Sequence, residues 1–219
     1  MSIFEDRRDA GRQLAVELEE YRGQDALVLA LPRGGVVTGY EVAVALGLPL
    51  DVFVSRKIGA PGNPELAIGA VAESDGLWLD QEAIELLGVS EEYVREETER
   101  QRAEIQRRIQ IYRHGHPLPP LVGRIVIVVD DGIATGYTML AALKGIRQTG
   151  PATLVAAVPV APRESLWKVS KEADRVVCLA TPEPFYAVGF NYVGFEQLSD
   201  EDVVEYLERA RQQAGQRKG

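Results

Sequence analysis

An open parallel sheet with helices on both faces, an α/β fold, is what this sequence predicts, and three features predict it. Short runs that are apolar at successive positions recur at 26–31, 51–55, 125–129, 153–158 and 176–180. Strands covered on both faces read this way, without the polar alternation of a half-exposed sheet. Helical periodicity fills several of the intervals between them, the alternation that builds a parallel sheet. Finally, residues 125–138 read I-V-I-V-V-D-D-G-I-A-T-G-Y-T, in which an apolar strand passes through two acids and a small-residue loop into a helix.

Taken in chain order, residues 6–21 form an amphipathic helix with Leu14, Leu18 and Tyr21 on one face. Ser2 and Glu5 have capping-box spacing at its start. The strand at 26–31 is followed by the turn Pro32-Arg33-Gly34-Gly35 and a helix over 36–46, which Gly47 closes in the C-terminal cap position. The second strand, 51–55, has Val52, Phe53 and Val54 at its centre. Ile125–Val129 is the third strand and 153–158 the fourth, with a helix over 136–148 between them; 176–180 is the fifth. A last helix spans 200 to about 213, capped by Ser199, with Val203, Val204 and Leu207 inward. Only about the last five residues are expected to fray.

Residues 58–123 interrupt the alternation. The Gly/Pro-rich stretch 59–64 leads into runs at 66–73 and 77–80, which flank Ser74-Asp75-Gly76 as a hairpin would. A long helix over 91–112, capped by Ser90, carries Glu91–Arg95, Glu96–Arg100 and Glu104–Arg108 at i,i+4 with the acid first. Such a helix reads as a solvated surface element, with an anion site made by its arginines as the alternative.

The 219 residues are expected to form a single domain, 1–219, with 58–123 inserted. At 46% apolar and 26% charged, the composition is that of an ordinary globular chain. A net charge of −9 speaks against non-specific nucleic-acid binding, although a locally positive pocket can still hold a small anion. The single cysteine, Cys178, lies in an apolar run and reads as a small buried hydrophobe in a reducing compartment. There is no apolar run of membrane-spanning length, and residues 1–12 are too charged for a signal peptide, so a cytoplasmic protein is expected. Arginine outnumbers lysine 19 to 5, and asparagine occurs only at Asn63 and Asn191, a bias that a GC-rich genome or a hot habitat would each explain. His114 and His116 sit in a polar turn with no third ligand near them in sequence, and read as surface loop.

Chemistry concentrates in the 125–138 stretch. A parallel strand ends at its carboxyl edge, where open α/β sheets bind their ligands. Asp130 and Asp131 stand there as a pair that can accept hydrogen bonds from the hydroxyls of a ribose and hold Mg²⁺ nearby. Gly132, Ile133, Ala134, Thr135 and Gly136 follow, with glycine and alanine keeping bulk away so that backbone N–H groups can meet one phosphate. Thr135 and Thr138 add hydroxyl donors, and the N-terminus of the helix adds partial positive charge.

V-V-D-D-G-I-A-T-G-Y-T resembles the phosphoribosyl pyrophosphate (PRPP) signature of type I phosphoribosyltransferases, with Gly132 where many members carry an aliphatic residue. The resemblance implies that the whole chain takes that family's fold. It implies that Arg33, Gly34 and Gly35 form the pyrophosphate loop and that Arg56 and Lys57 act as basic groups on the pyrophosphate. The 58–123 segment falls where the family carries a mobile catalytic loop, and Gly59, Gly62 and Pro64 suit a lid; no lysine-to-histidine pattern marks a lid catalyst. In the family a C-terminal hood covers the acceptor, and the resemblance implies a small hood at 181–198 here. Residues 182–186 and 190–195 bring Phe185, Phe190 and Tyr192 to that region as candidates to stack on a heterocycle, or as core of the hood. Glu164 and Arg163 are weaker candidates for reading the acceptor.

The expected activity is Mg²⁺-dependent transfer of a phosphoribosyl group from PRPP to a nitrogenous acceptor, a nucleobase or related heterocycle. Asp130, Asp131, Arg56 and Lys57 are the catalytic candidates, and the resemblance implies a homodimer. A non-catalytic PRPP-binding regulator and a PRPP or sugar-phosphate hydrolase are the alternatives on the same scaffold.

Overall fold

The computed structural model describes residues 2–216. Five parallel strands form the main sheet in the order β2-β1-β6-β7-β8, with β1 at Ala26–Ala30, β2 at Leu50–Val52, β6 at Ile125–Val129, β7 at Thr153–Val160 and β8 at Arg175–Ala180. The expected open parallel sheet is therefore present. Successive residues of β1 and β6 feed two different cores. Val28, Ala30, Ile127 and Val129 pack on the face covered by helices α1 (Arg7–Glu17), α2 (Gly35–Leu46) and α7 (Asp200–Gln216). Leu27, Leu29, Val126 and Val128 pack on the opposite face, under helix α5 (Tyr137–Gln148). This two-sided burial is why the strands carry no polar alternation.

Asp6 caps α1 and accepts from the Asp9 amide at 2.7 Å, while Asp9 accepts from the Glu5 amide, so the capping pair sits one turn later than Ser2 and Glu5. The helix ends at Glu17, and a single 3₁₀ turn, Glu19–Tyr21, brings Tyr21 into the core. Gly47 ends α2 at φ 71°, as expected. Ser199 and Asp202 form a reciprocal cap at the start of α7. The expected fraying falls largely outside the described residues.

The 51–55 run is not one strand. β2 stops at Val52, and the chain leaves the parallel sheet through Phe53 and Val54 into β3 (Ser55–Ala60) of a second sheet. That sheet is antiparallel, with β3 paired to β4 (Asn63–Ala72) and β4 to β5 (Leu77–Leu79). Within 59–64 only Pro61 and Gly62 form the turn between β3 and β4, the rest belonging to the strands, and 74–76 is in the turn of the expected hairpin. At the junction Val54 donates to the Glu73 carboxylate at 2.7 Å and Glu73 returns a bond to the Val54 carbonyl at 2.9 Å.

A short helix α3 (Gln81–Leu86), capped by Asp80, precedes α4 (Glu91–Arg113). Ser90 caps α4, but α4 is not a solvated helix. Ile105, Tyr112 and Arg113 are buried, and the Arg113 guanidinium pairs with Glu73, pinning α4 to the junction where the chain changes sheets. Burial pushes the Glu73 carboxyl up, against the lowering effect of Arg113. Of the expected i,i+4 pairs Glu104–Arg108 forms at 2.9 Å, Arg100 instead pairs with Glu97, and no Glu91–Arg95 pair is seen among the described residues. Within those residues no helix is long and apolar enough to cross a membrane.

Candidate active site

Strand order reverses between β1 and β6, so their carboxyl ends open a crevice where the following loops diverge. Ala30 is in register with Val129, and Leu31 donates to the Val129 carbonyl at 2.8 Å, which sets the Pro32–Gly35 turn directly beside Asp130 and Asp131. The Pro32–Arg33 peptide is cis. The two glycines of this turn are a matter of space. A Cβ on Gly34 would fall inside the Asp131 carboxylate, and one on Gly35 would lie 2.8 Å from the Val129 carbonyl oxygen. Two motifs about a hundred residues apart are therefore one surface.

The acids differ in their surroundings. Asp130 accepts from the Asp131 amide at 2.8 Å, and burial, then the neighbouring Asp131 charge, hold its carboxyl well above the usual range. Asp131 is engaged by Arg7, whose Nε donates to Oδ2 at 2.7 Å. Arg7 also donates to the Glu196 carbonyl at 2.7 Å and lies 3.8 Å over the Phe195 ring. Tyr192 donates from its hydroxyl to the Asp131 carbonyl.

Beyond the acids, Ile133 donates its N–H to the Val160 carbonyl at 2.9 Å, and Ser165 donates to the Ala134 carbonyl at 2.5 Å. Among the described residues no protein acceptor meets the amides of Ala134, Thr135 or Gly136, or the hydroxyls of Thr135 and Thr138. Gly136, at φ 83°, makes the left-handed turn that starts α5. These groups line a cavity of about 310 Å³ together with Lys57, Glu65 and Val188. Gly132 gives the loop room rather than freedom: a Cβ there would sit 2.5 Å from Val188 Cγ1 and 2.9 Å from Val160 Cγ1.

Arg56 and Lys57 lie inside β3, not after a strand of the main sheet, and as consecutive strand residues they point opposite ways. Lys57 reaches the cavity lined by residues 132–138 and pairs with Glu65 across the hairpin at 2.7 Å. Arg56 turns toward α4, donating to Gln101 at 2.5 Å and lying 3.9 Å from Glu104. The hairpin is held over α5 by Trp78, whose ring centroid is 4.3 Å from that of Tyr137, and by the Tyr137 hydroxyl on Asp80.

The three aromatic candidates separate. Tyr192 is buried, its ring packed on Phe4 and Phe195, so it is core of the hood rather than a free stacking surface. Phe185 is partly buried on the same small cluster, and Phe190 is 73% exposed, beside Tyr186. Arg163 pairs with Glu183 on the surface; Glu164 pairs with Lys168. His114 and His116 are exposed after α4. No group of three or more His, Cys, Asp or Glu among the described residues could hold a metal alone. Arg7, Glu65 and Val188 were not legible as site residues, since each comes from an element whose local pattern only says helix, strand or loop.

Comparison with known proteins shows the family. The family model described as "Phosphoribosyl transferase domain" matches residues 3–192. The chain is 45% identical over 210 residues to Rv0571c of Mycobacterium tuberculosis (strain H37Rv), whose name carries a provisional phosphoribosyl transferase assignment, and the alignment covers 96% of this chain and 47% of that protein. The chain thus spans about half the length of the curated relatives it matches. Among solved structures, TT1426 from Thermus thermophilus is 45% identical with a TM-score of 0.79, covering 95% of this chain and 99% of that one. A hypothetical protein from Neisseria gonorrhoeae, solved with bound ppGpp, shares the fold alone, at 15% identity and a TM-score of 0.51 over 96% and 98% of the two chains. With the PRPP signature and its glycine turn joined at the β1–β6 crevice, the chain belongs to the phosphoribosyl transferase domain family.

Proposed function

We propose that this protein transfers a phosphoribosyl group from PRPP to a nitrogenous acceptor, a nucleobase or related heterocycle, with release of pyrophosphate. One observation carries the reading: unpartnered amides and hydroxyls at 134–138 sit beside two carboxylates and a glycine turn, in a single crevice. The amides and threonines take the 5′-phosphate, Asp130 and Asp131 take the ribose hydroxyls, and Arg33 with Gly34 and Gly35 takes the pyrophosphate. The C–N bond to the acceptor forms as the C–O bond to pyrophosphate breaks. Pyrophosphate leaves with the electron pair, and the acceptor's proton passes to solvent. Positive charge develops on the ribose ring beside the two acids, and negative charge on the leaving group beside Arg33, so positioning and electrostatics supply the catalysis.

Asp130 and Asp131 offer the hard oxygen donors that Mg²⁺ prefers, but Arg7 already occupies one of them, so these residues suit a metal that arrives with the substrate phosphates. When bound, Mg²⁺ would neutralise pyrophosphate charge. The family resemblance supports a homodimer as the working form.

Pyrophosphate release from PRPP, measured with and without a panel of nitrogenous bases and with and without Mg²⁺, tests the proposal. Release that requires one acceptor supports transfer. Release without any acceptor makes the protein a hydrolase, and tight PRPP binding with no release makes it a sensor.

A further inference from the structure

Every polar atom of Asp131 but one is engaged within the chain. Its amide donates to the Asp130 carboxyl at 2.8 Å, its carbonyl accepts from the Tyr192 hydroxyl, and Oδ2 accepts from Arg7 Nε at 2.7 Å. Oδ2 is closed from the turn side as well, because the Gly34 backbone approaches it so nearly that no Cβ would fit between them. Among the described residues no amide, hydroxyl or guanidinium donates to Oδ1. The Arg7 side chain is 11% exposed and that of Asp131 13%, so the carboxylate cannot turn without giving up a charge-assisted bond that bulk water would not readily replace.

Arg7 in turn is held by the hood. Its Nη1 donates to the Glu196 carbonyl at 2.7 Å, and the guanidinium carbon lies 3.8 Å from the centre of the Phe195 ring. The backbone just before α1 is bonded to the same segment, Val193 donating to the Phe4 carbonyl at 3.0 Å and Gly194 to the Glu5 carbonyl at 2.8 Å. Tyr192 packs on both Phe4 and Phe195, with ring centroids 5.4 and 5.1 Å away. A planar fork bonded at two nitrogens and covered on one face has little freedom, and the carboxylate oxygen that it meets has little either.

We infer that Arg7 is a positioning residue for the sugar: it closes Asp131 Oδ2 and leaves Oδ1 as the one oxygen of that carboxylate presented to a ribose hydroxyl. The hood, through Arg7, thereby sets how strongly the crevice demands a hydroxylated sugar. This rests on the proposed function, in which the two acids take the ribose hydroxyls.

Calorimetric titration of the intact protein with ribose 5-phosphate and with 2,3-dideoxyribose 5-phosphate, at one fixed Mg²⁺ concentration, tests it. Wild type is expected to prefer the hydroxylated sugar by about tenfold or more, the worth of a hydrogen bond to a charged group. In Arg7→Gln the preference should fall to about threefold or less, while the dideoxy sugar binds within about twofold of wild type, since only the hydroxyl contact has lost its partner's orientation. Arg7→Lys keeps a cation beside Asp131 and guards against a folding failure; lacking the fork's second donor to the Glu196 carbonyl, it should show a preference between the other two. A wild-type preference in folded Arg7→Gln overturns the inference. Equal weakening of both ligands also overturns it, marking Arg7 as a support for the fold. Wild-type protein that binds the two sugars equally well would instead sink the assignment of Asp130 and Asp131 to the ribose in the proposed function.

Discussion

Arg7 Nε donates to Asp131 Oδ2 at 2.7 Å, joining the first helix to the acid pair across 124 residues of sequence. The same guanidinium holds the Glu196 carbonyl and covers Phe195, so one side chain sets the Asp131 carboxylate and fastens the hood. Both side chains are nearly buried, which makes the pair worth more than a surface contact.

Arg7→Met and Asp131→Asn should therefore not add. Each alone is expected to destabilise by about 1–3 kcal/mol, and a double-mutant cycle by urea unfolding should return a coupling of roughly 1–2 kcal/mol. Asp131→Asn should also cut PRPP turnover by about a hundredfold or more while the protein stays folded. Turnover like wild type would remove Asp131 from the proposed mechanism.

Gly132 and Val188 form a second coupled pair. Gly132→Ala should displace the Val188 segment and raise the apparent KM for PRPP, because its Cβ would meet Val188 Cγ1 at 2.5 Å. Val188→Ala in the same chain should restore most of that loss. Kinetics on the two single variants and the double variant would read the rescue, and its absence would place the strain on Val160 instead.

Arg113→Met is expected to be among the most destabilising substitutions away from the crevice, by about 3–5 kcal/mol, since it strips the buried Glu73 carboxyl of its guanidinium partner where the chain changes sheets. Adding Glu73→Gln should recover part of the loss. Thermal and urea unfolding of the two variants would measure both effects.

Glu104 gives a pH signature. Its hydrogen bond from Arg107, with Arg108 beside it, lowers the carboxyl from 4.5 to about 2. A depressed folded pKa stabilises above the unfolded value and is lost on protonation. The difference in melting temperature between wild type and Glu104→Gln should hold steady above about pH 5 and shrink as the pH falls from about 4.5 toward 2. A difference that grew on acidification would contradict the arrangement.

Local pattern carried much of this. Four of the five apolar strands, the Gly47 and Ser90 caps and the strand-to-helix turn at 129–137 all express chemistry within a few residues, and these occur where expected. The split of the 51–55 run was not legible, because Val52, Phe53 and Val54 are apolar whichever sheet receives them. Charge pattern on α4 suggested a solvated helix, since a surface ion pair and one packed against other elements look alike until β3 and α7 are placed against them. Tyr192 illustrates the converse: an aromatic in a hood reads equally as a stacking surface or as core, and Phe4 and Phe195 decide for core.

By itself the sequence determined the parallel α/β class and the strand-to-loop cradle, because burial on both strand faces and small residues before a helix are properties of contiguous residues. Only the tertiary structure decided which distant groups share the crevice. Arg7 on Asp131, Gly34 and Gly35 against the acids, and Val188 over Gly132 all depend on strand order and helix packing. Contacts of that kind are fixed by where whole elements come to rest, and no local spacing encodes them.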